Sequence, residues 1–465
     1  MDTQQLSKNI PRWYLWAVLC FLPTLFYYYV GEEGVFTLNS MEMWQGRQFL
    51  STVMYGAIGG GGGRPPLFNW LMMPLAHGIG WENVLVAARI VTVGATLLTS
   101  LVIGWLAQQL WRDKAVSGMA ALLYLVTADV LLYRGWLSYA DPLFAMFVVL
   151  ALALAWVACL RSSYRLLAAA MLGAFAAFLT KALTVYLFLG VGLLVLLSDP
   201  GFRRFLLRPQ AWAVYGLAVM LPLGWFEFGT QDTAQHAKMS GDILEKLSIA
   251  DGRDYALRLL TYPLEMLARL MPASLFVGYF LLRRRSAITQ QDPAVRMALL
   301  MALLNFLPYW LAPSGGARYI LPIYALLVLP AAWLVVRHSG VFKVQRWVSA
   351  MLVIGTVMNF FVFPYYQKVV RGENYRQMAS EIMHSYGQHP LYATNVSSVG
   401  LSVVASINSM HFGRPALRWP PADFKDGIVI AYSPSDVPGT LLKKLHRHND
   451  AVFLICRGSA CAAGP

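Results

Sequence analysis

Charge is what this sequence has least of. Of its 465 residues only 13% are charged, while 58% are hydrophobic. A soluble domain carries about 25% charged residues, so a water-exposed globule of this length is excluded and lipid is the expected solvent for most of the chain. Cysteine is scarce too, with four residues, too few for a disulfide-built scaffold. Cys20 and Cys159 fall in apolar runs, where a thiol behaves as a small hydrophobe. Cys456 and Cys461 follow the last expected strand and are separated by Arg-Gly-Ser-Ala. A turn can close that spacing, and an oxidising outer compartment then predicts a disulfide. The eight His include no HExxH or similar metal-ligand spacing. The glycine run Gly59–Gly63 lacks a following Lys-Ser/Thr, which excludes a phosphate-binding P-loop and leaves a flexible hinge in an outer loop. The net charge is +14, yet no Lys/Arg run is interleaved with aromatic residues. That excludes a nucleic-acid groove.

What the chain does have is long apolar runs. A helix needs about 20 apolar residues to cross the hydrocarbon core. Runs near that length lie at 13–30, 84–110, 115–133, 142–160, 211–228, 263–282, 297–312, 318–336 and 347–364. Residues 166–197 are too long for one span and contain Lys181, which predicts two short helices joined at Thr180–Leu183. The total is about eleven spans. Basic residues occupy every second gap: Lys8 and Arg12, Arg112 and Lys114, Arg161 and Arg165, Arg203 to Arg208, Arg283 to Arg296, Arg337 to Arg346. The positive-inside rule places those gaps and the N-terminus in the cytoplasm, and an odd span count places the C-terminus in the periplasm. No small-residue cleavage site follows the first span, so it reads as a span and not a signal peptide.

The expected fold is therefore an α-helical polytopic protein of the inner (plasma) membrane. A transmembrane domain covers 1–364, with a first periplasmic loop at 31–83, and a small periplasmic α/β domain covers 365–465. In that tail, Leu391–Thr394, Gly427–Tyr432 and Ala451–Ile455 read as strands. Tyr375–Tyr386 and Val437–His448 read as helices. A further outer loop covers Gly229–Tyr262. No internal repeat is seen, which disfavours an inverted-repeat transporter.

The residues that can carry chemistry gather on the outer side. Glu32 and Glu33 stand where the chain leaves the first span, and Arg64 is fixed before Pro65 and Pro66. Asp141 precedes Pro142, Lys181 sits at an outer turn, and Arg318 and Tyr319 open another span. Each has an ordinary structural reading: solvated interfacial charge for the glutamates, headgroup anchoring for Arg64, dipole pairing for Asp141, snorkelling for Lys181. Carboxylates and cations converging there could equally hold a phosphate and activate a hydroxyl beside it.

The motifs GEEG with Met41-Glu-Met-Trp44, then RPPLFNWL, YADPLF, FLTKAL and RYILP, occur in this order over residues of about 30 to 325. In that order and topology they resemble the GT-C glycosyltransferases. The similarity is closest to bacterial lipid A aminoarabinose transferases and the related protein O-mannosyltransferase clan. The resemblance implies a polyprenyl-phosphate sugar donor taken from membrane lipid and a glycolipid acceptor, lipid A or lipopolysaccharide core. Protein O-mannosyl transfer and, from another class, a lipid or sugar transporter or flippase are the alternatives. It also implies catalytic carboxylates at Glu32 and Asp141, with Glu33 as a further candidate. The donor phosphate falls to Arg64, Lys181, Arg318 and Tyr319, with His236 and Lys238 an approximate match for a later loop motif. Two positions depart from the family: Glu32 stands where Asp is usual and Arg64 where Lys is usual. The longer arm and the bidentate guanidinium change reach and grip. A divalent ion at Glu32 is compatible with this set but not demanded by it, and no other cofactor is implied.

The charge alternation makes a direct prediction. A phosphatase reporter fused after Pro465 should be active and a cytoplasm-only reporter silent, whereas the reverse pattern would move every outer residue named above to the wrong side.

Overall fold

A chain with so few polar side chains must satisfy its backbone internally, and in lipid that means helices. The computed structural model describes residues 3–58, 64–181, 183–229, 252–283, 292–313, 316–338, 341–372, 374–447 and 450–462. Lys238, His236 and the glycine run 59–63 lie outside the described residues.

Helix α1 (Thr3–Leu19) is followed by the segment 31–83, which is largely regular structure where a loop was expected. It holds α2 (Glu33–Gly46), a small hairpin of β1 (Val53–Met54) and β2 (Ala57–Ile58), and α3 (Leu67–Ile79). Glu42 in α2 is buried and accepts the backbone N–H groups of Tyr55 and Gly56 at 2.9 and 2.8 Å. Its burial pushes the carboxyl above the usual range. Gly31, just before α2, has φ +56°, and a Cβ there would lie 2.5 Å from the Tyr139 hydroxyl. Both the backbone and the close approach require glycine.

The membrane part continues with α4 (Val84–Trp111), α5 (Lys114–Leu125), α6 (Ala140–Arg161), α7 (Tyr164–Lys181), α8 (Thr184–Leu196), α9 (Pro200–Leu206) and α10 (Pro209–Gly224). Then come α11 (Gly252–Arg269), α12 (Ala273–Arg283), α13 (Pro293–Leu311), α14 (Leu321–His338) and α15 (Val341–Val357). Among the described residues, seven helical stretches are long and apolar enough to cross a membrane, and α5 and α8 are shorter apolar helices. The expected break near Lys181 is present between α7 and α8. The expected count of about eleven full spans is not reproduced, because several runs are short or interrupted. The run 115–133 stops as an α-helix at Leu125 and turns through a π segment at Val130–Arg134. The run 263–282 is divided between α11 and α12 at Met271–Pro272, where proline cannot donate to a continuing helix.

The tail forms α16 (Tyr375–Tyr386), β3 (Leu391–Ala393), α17 (Ser398–Met410), β4 (Gly427–Ala431), β5 (Thr440–Arg447) and β6 (Asp450–Arg457). The sheet order is β3-β4-β6-β5, with β3 parallel to β4 and the other pairs antiparallel. Within the segment 437–448, expected as a helix, Thr440–Arg447 form the edge strand β5, paired with β6 from Thr440–Cys456 to Arg447–Asp450. Tertiary pairing overrides the leucine spacing, and Lys443 and Lys444 on an edge discourage further strand addition. Helix α17 is buried from Val399 to Ser409 and packs on α2, with Gly34 so close to Leu401 that a Cβ would meet its backbone at 2.8 Å. Trp81 stacks on Phe412 at 4.3 Å, and the Tyr55 hydroxyl donates to the Asn395 carbonyl at 2.7 Å. The tail and the segment 31–83 therefore share one core.

Cys456 and Cys461 are disulfide-bonded, and Cys20 and Cys159 are free and buried. Next to the disulfide, Asp426 accepts from the Ala460 N–H at 3.0 Å and the Ser459 hydroxyl at 2.8 Å, which holds its carboxyl below the usual range. Denatured without reductant, the protein should alkylate two of its four cysteines. Labelling of all four would contradict the pairing.

Candidate active site

The site is organised from below by Glu33. This carboxylate is fully buried against the fully buried Arg89 of α4, at 2.6 Å. Its Oε1 accepts from Arg89 Nε at 3.1 Å, Ser138 N at 2.7 Å and Ser138 Oγ at 2.9 Å. Its Oε2 accepts from Val30 N at 2.8 Å. Arg89 spends its remaining donors on the carbonyls of Thr24, Tyr27 and Tyr28 at 3.0, 2.6 and 2.8 Å. Every lone pair of Glu33 is taken, so the carboxylate counted among the catalytic candidates has no acceptor left for substrate. It ties the end of the first span, the start of α2 and the segment before α6 into one knot. The Tyr139 hydroxyl accepts the Glu32 N–H at 2.9 Å and strengthens the same junction.

That knot sets the two flanking acids. Glu32 precedes α2 and is half-exposed, and Arg318 donates to it at 3.0 Å. Asp141, in the first turn of α6, is buried and forms a close ion pair with Lys181, the last residue of α7. The Lys181 ammonium lies 3.9 Å from the ring centre of Tyr319, and the Arg318 guanidinium lies 5.4 Å from the same ring. Tyr319 stacks in turn on Tyr309. Arg64 lies over the Phe36 ring at 5.6 Å, close enough for its charge to act on Asp141 and Lys181. The structure thus gathers Lys181 and Arg318, with their carboxylate partners Asp141 and Glu32, around Tyr319 and brings Arg64 near them, from five positions along the chain.

A second polar cluster escaped the reading of the sequence. Asp129 is buried and pairs with Arg134 at 3.0 Å and Arg269 at 2.7 Å, while Tyr324 donates to it at 2.7 Å. Arg269 also pairs with Glu265 at 2.8 Å. The signal was an aspartate inside the apolar run 115–133, where an ionisable group demands partners. Arg89 and Arg269, each well inside an expected span, are both bound to carboxylates. Among the described residues no group of three or more His, Cys, Asp or Glu side chains is arranged to hold a metal. Glu32 offers one carboxylate, already facing Arg318.

No family model matches the sequence, and no curated protein matches it. Solved structures do. ArnT of Cupriavidus metallidurans in the apo state superposes with a TM-score of 0.67 at 15% identity, covering 96% of this chain and 97% of that one. The same protein bound to undecaprenyl phosphate gives 0.66 at 15% identity, with each chain covered fully, at 100%. The oligosaccharyltransferase of Archaeoglobus fulgidus in the apo form gives 0.47 at 12% identity, covering 87% of this chain and 64% of that one. The GT-C resemblance read from the motifs is shown at the level of the fold.

The geometry separates the adjacent glutamates experimentally. Glu33→Gln or Arg89→Met leaves one buried charge without its partner, which should cost about 3–5 kcal/mol and lower the melting temperature in detergent. Glu32→Gln, at a half-exposed position, should melt like the unsubstituted protein. Equal melting of all three variants would contradict the structural role of Glu33.

Proposed function

We propose that this chain is a membrane glycosyltransferase that moves a sugar from a polyprenyl-phosphate donor to a glycolipid acceptor, lipid A or lipopolysaccharide core, at the periplasmic face. The observation that carries the proposal is the convergence of Lys181 and Arg318, each with a carboxylate partner, around Tyr319, with Arg64 nearby. The fold shared with ArnT, which has been solved with undecaprenyl phosphate, supports a lipid-phosphate ligand for that cluster. The motif order supports the acceptor class.

The roles follow from exposure and partners. The acceptor hydroxyl attacks the anomeric carbon and gives its proton to Glu32, whose carboxylate is 52% exposed and can be approached. The bond from the anomeric carbon to the phosphate oxygen breaks, and the lipid phosphate leaves with increased negative charge. Lys181, Arg318 and Arg64 stabilise that charge, with the two guanidiniums able to grip two phosphate oxygens each. Asp141 is too enclosed to act on an incoming hydroxyl. It holds the Lys181 ammonium in place until the phosphate arrives.

Glu32→Gln should reduce turnover at least about a hundredfold, the lower end for a general base, and Asp141→Asn should weaken donor binding by releasing Lys181 from its partner. Glu32→Asp, which shortens the arm, should retain substantial activity. Arg318→Ala and Lys181→Met should weaken donor binding, and Arg64→Lys should do so more mildly. The assay is sugar transfer from polyprenyl-phosphate donor by purified protein, with mass spectrometry of lipid A and core from a deletion strain to identify the missing sugar. Full activity of Glu32→Gln would remove it as the base, and unaltered donor binding in the cation variants would return them to membrane anchoring.

A further inference from the structure

The tail encloses a cavity of about 400 Å³, within the range of small-ligand sites. It lies between the end of α16, the start of β3, the end of α17 and the segment 411–418. Its polar lining is basic: His389, His411, Arg414 and Arg418, with no carboxylate among the described lining residues. The reading of the sequence assigned none of these residues.

Two further observations point to a binding site. Asn408 is 4% exposed, and its Oδ1 accepts the Leu417 N–H at 3.2 Å, which fixes the amide. Its Nδ2, and the solvent-shielded Nε2 of His389, make no hydrogen bond. Buried polar atoms without partners are rare because they forfeit their solvation. Arg414 spends one nitrogen on the Gly387 carbonyl at 3.4 Å and is otherwise exposed. The rest of the lining includes Met383, Ile407, Leu417 and Tyr392, an apolar surface suited to the C–H face of a sugar ring.

The position ties the cavity to the segment 31–83. Helices α2 and α17 run side by side in the same direction: Gly34 lies against Leu401, while Gln45 donates to the Phe412 and Arg414 carbonyls at 2.7 and 3.2 Å. The cavity therefore adjoins the far end of α2, about 20 Å along its axis from Glu32. We propose that it binds an anionic saccharide, a phosphate-bearing sugar unit of the acceptor distant from the hydroxyl that reacts. The identity of the saccharide as acceptor rests on the glycosyltransferase reading; the anionic-saccharide site itself does not.

The test is calorimetric titration of the purified full-length protein in detergent with glucose 6-phosphate, glucose and inorganic phosphate. Glucose 6-phosphate should bind, and glucose should not. The double variant Arg414→Ala/His411→Ala should weaken the phosphosugar at least tenfold with an unchanged melting temperature. Arg318→Ala and Glu32→Gln should leave this binding intact, so loss of transfer and loss of this site are read separately. Unchanged affinity in the double variant, binding lost instead in Arg318→Ala, or inorganic phosphate binding as tightly as glucose 6-phosphate would each overturn the proposal.

Discussion

The buried pair of Glu33 and Arg89 is the constraint on which the candidate site depends. Two charges taken out of water are tolerated only when every donor and acceptor is matched, and here the matching reaches five separate backbone positions. Such a pair is weak evidence for added stability, since an apolar replacement can serve as well. Its consequence is geometric. The same carboxylate fixes Ser138, three residues before Asp141, and the turn that carries Glu32. Two acids from distant segments are thereby held at one level without touching each other.

Around them the electrostatics is poised for an anion. Lys181 and Arg318 each face a carboxylate, and both lie against the ring of Tyr319, whose negative face suits cations. Arg64 adds a third positive charge close to Asp141 and Lys181. A phosphate entering the cluster would replace the carboxylates as the partner of these cations, leaving Glu32 beside it as an acid–base group. The ion pairs keep the cations positioned and limit the desolvation cost they would otherwise suffer.

Much of this was legible in the sequence because short motifs carry local chemistry. Gly31 before two glutamates, the prolines after Arg64 and Asp141, and the break at Lys181 all mark the ends of apolar segments, where polar side chains can gather. What could not be read was anything set by contacts across the fold. Glu32 and Glu33 are neighbours with the same side chain, and only Arg89, more than fifty residues away, separates one as exposed from the other as buried. The strand at 440–447 carries a helix-like leucine spacing and is decided by its pairing with β6. Helix α17 mixes small, polar and apolar residues without a clear face, because it is buried on all sides between α2 and the tail. The run 115–133 counted as one span because hydropathy averages over Asp129, whose partners Arg269 and Tyr324 lie far along the chain.

Whether the cations around Tyr319 receive a lipid phosphate is decided by an electron cryomicroscopy structure of the protein with undecaprenyl phosphate. The phosphate is expected within hydrogen-bond distance of Lys181 and Arg318, with Arg64 turned toward it and Glu32 alongside. A bound lipid phosphate elsewhere, with the Lys181–Asp141 and Arg318–Glu32 pairs unchanged, would contradict it.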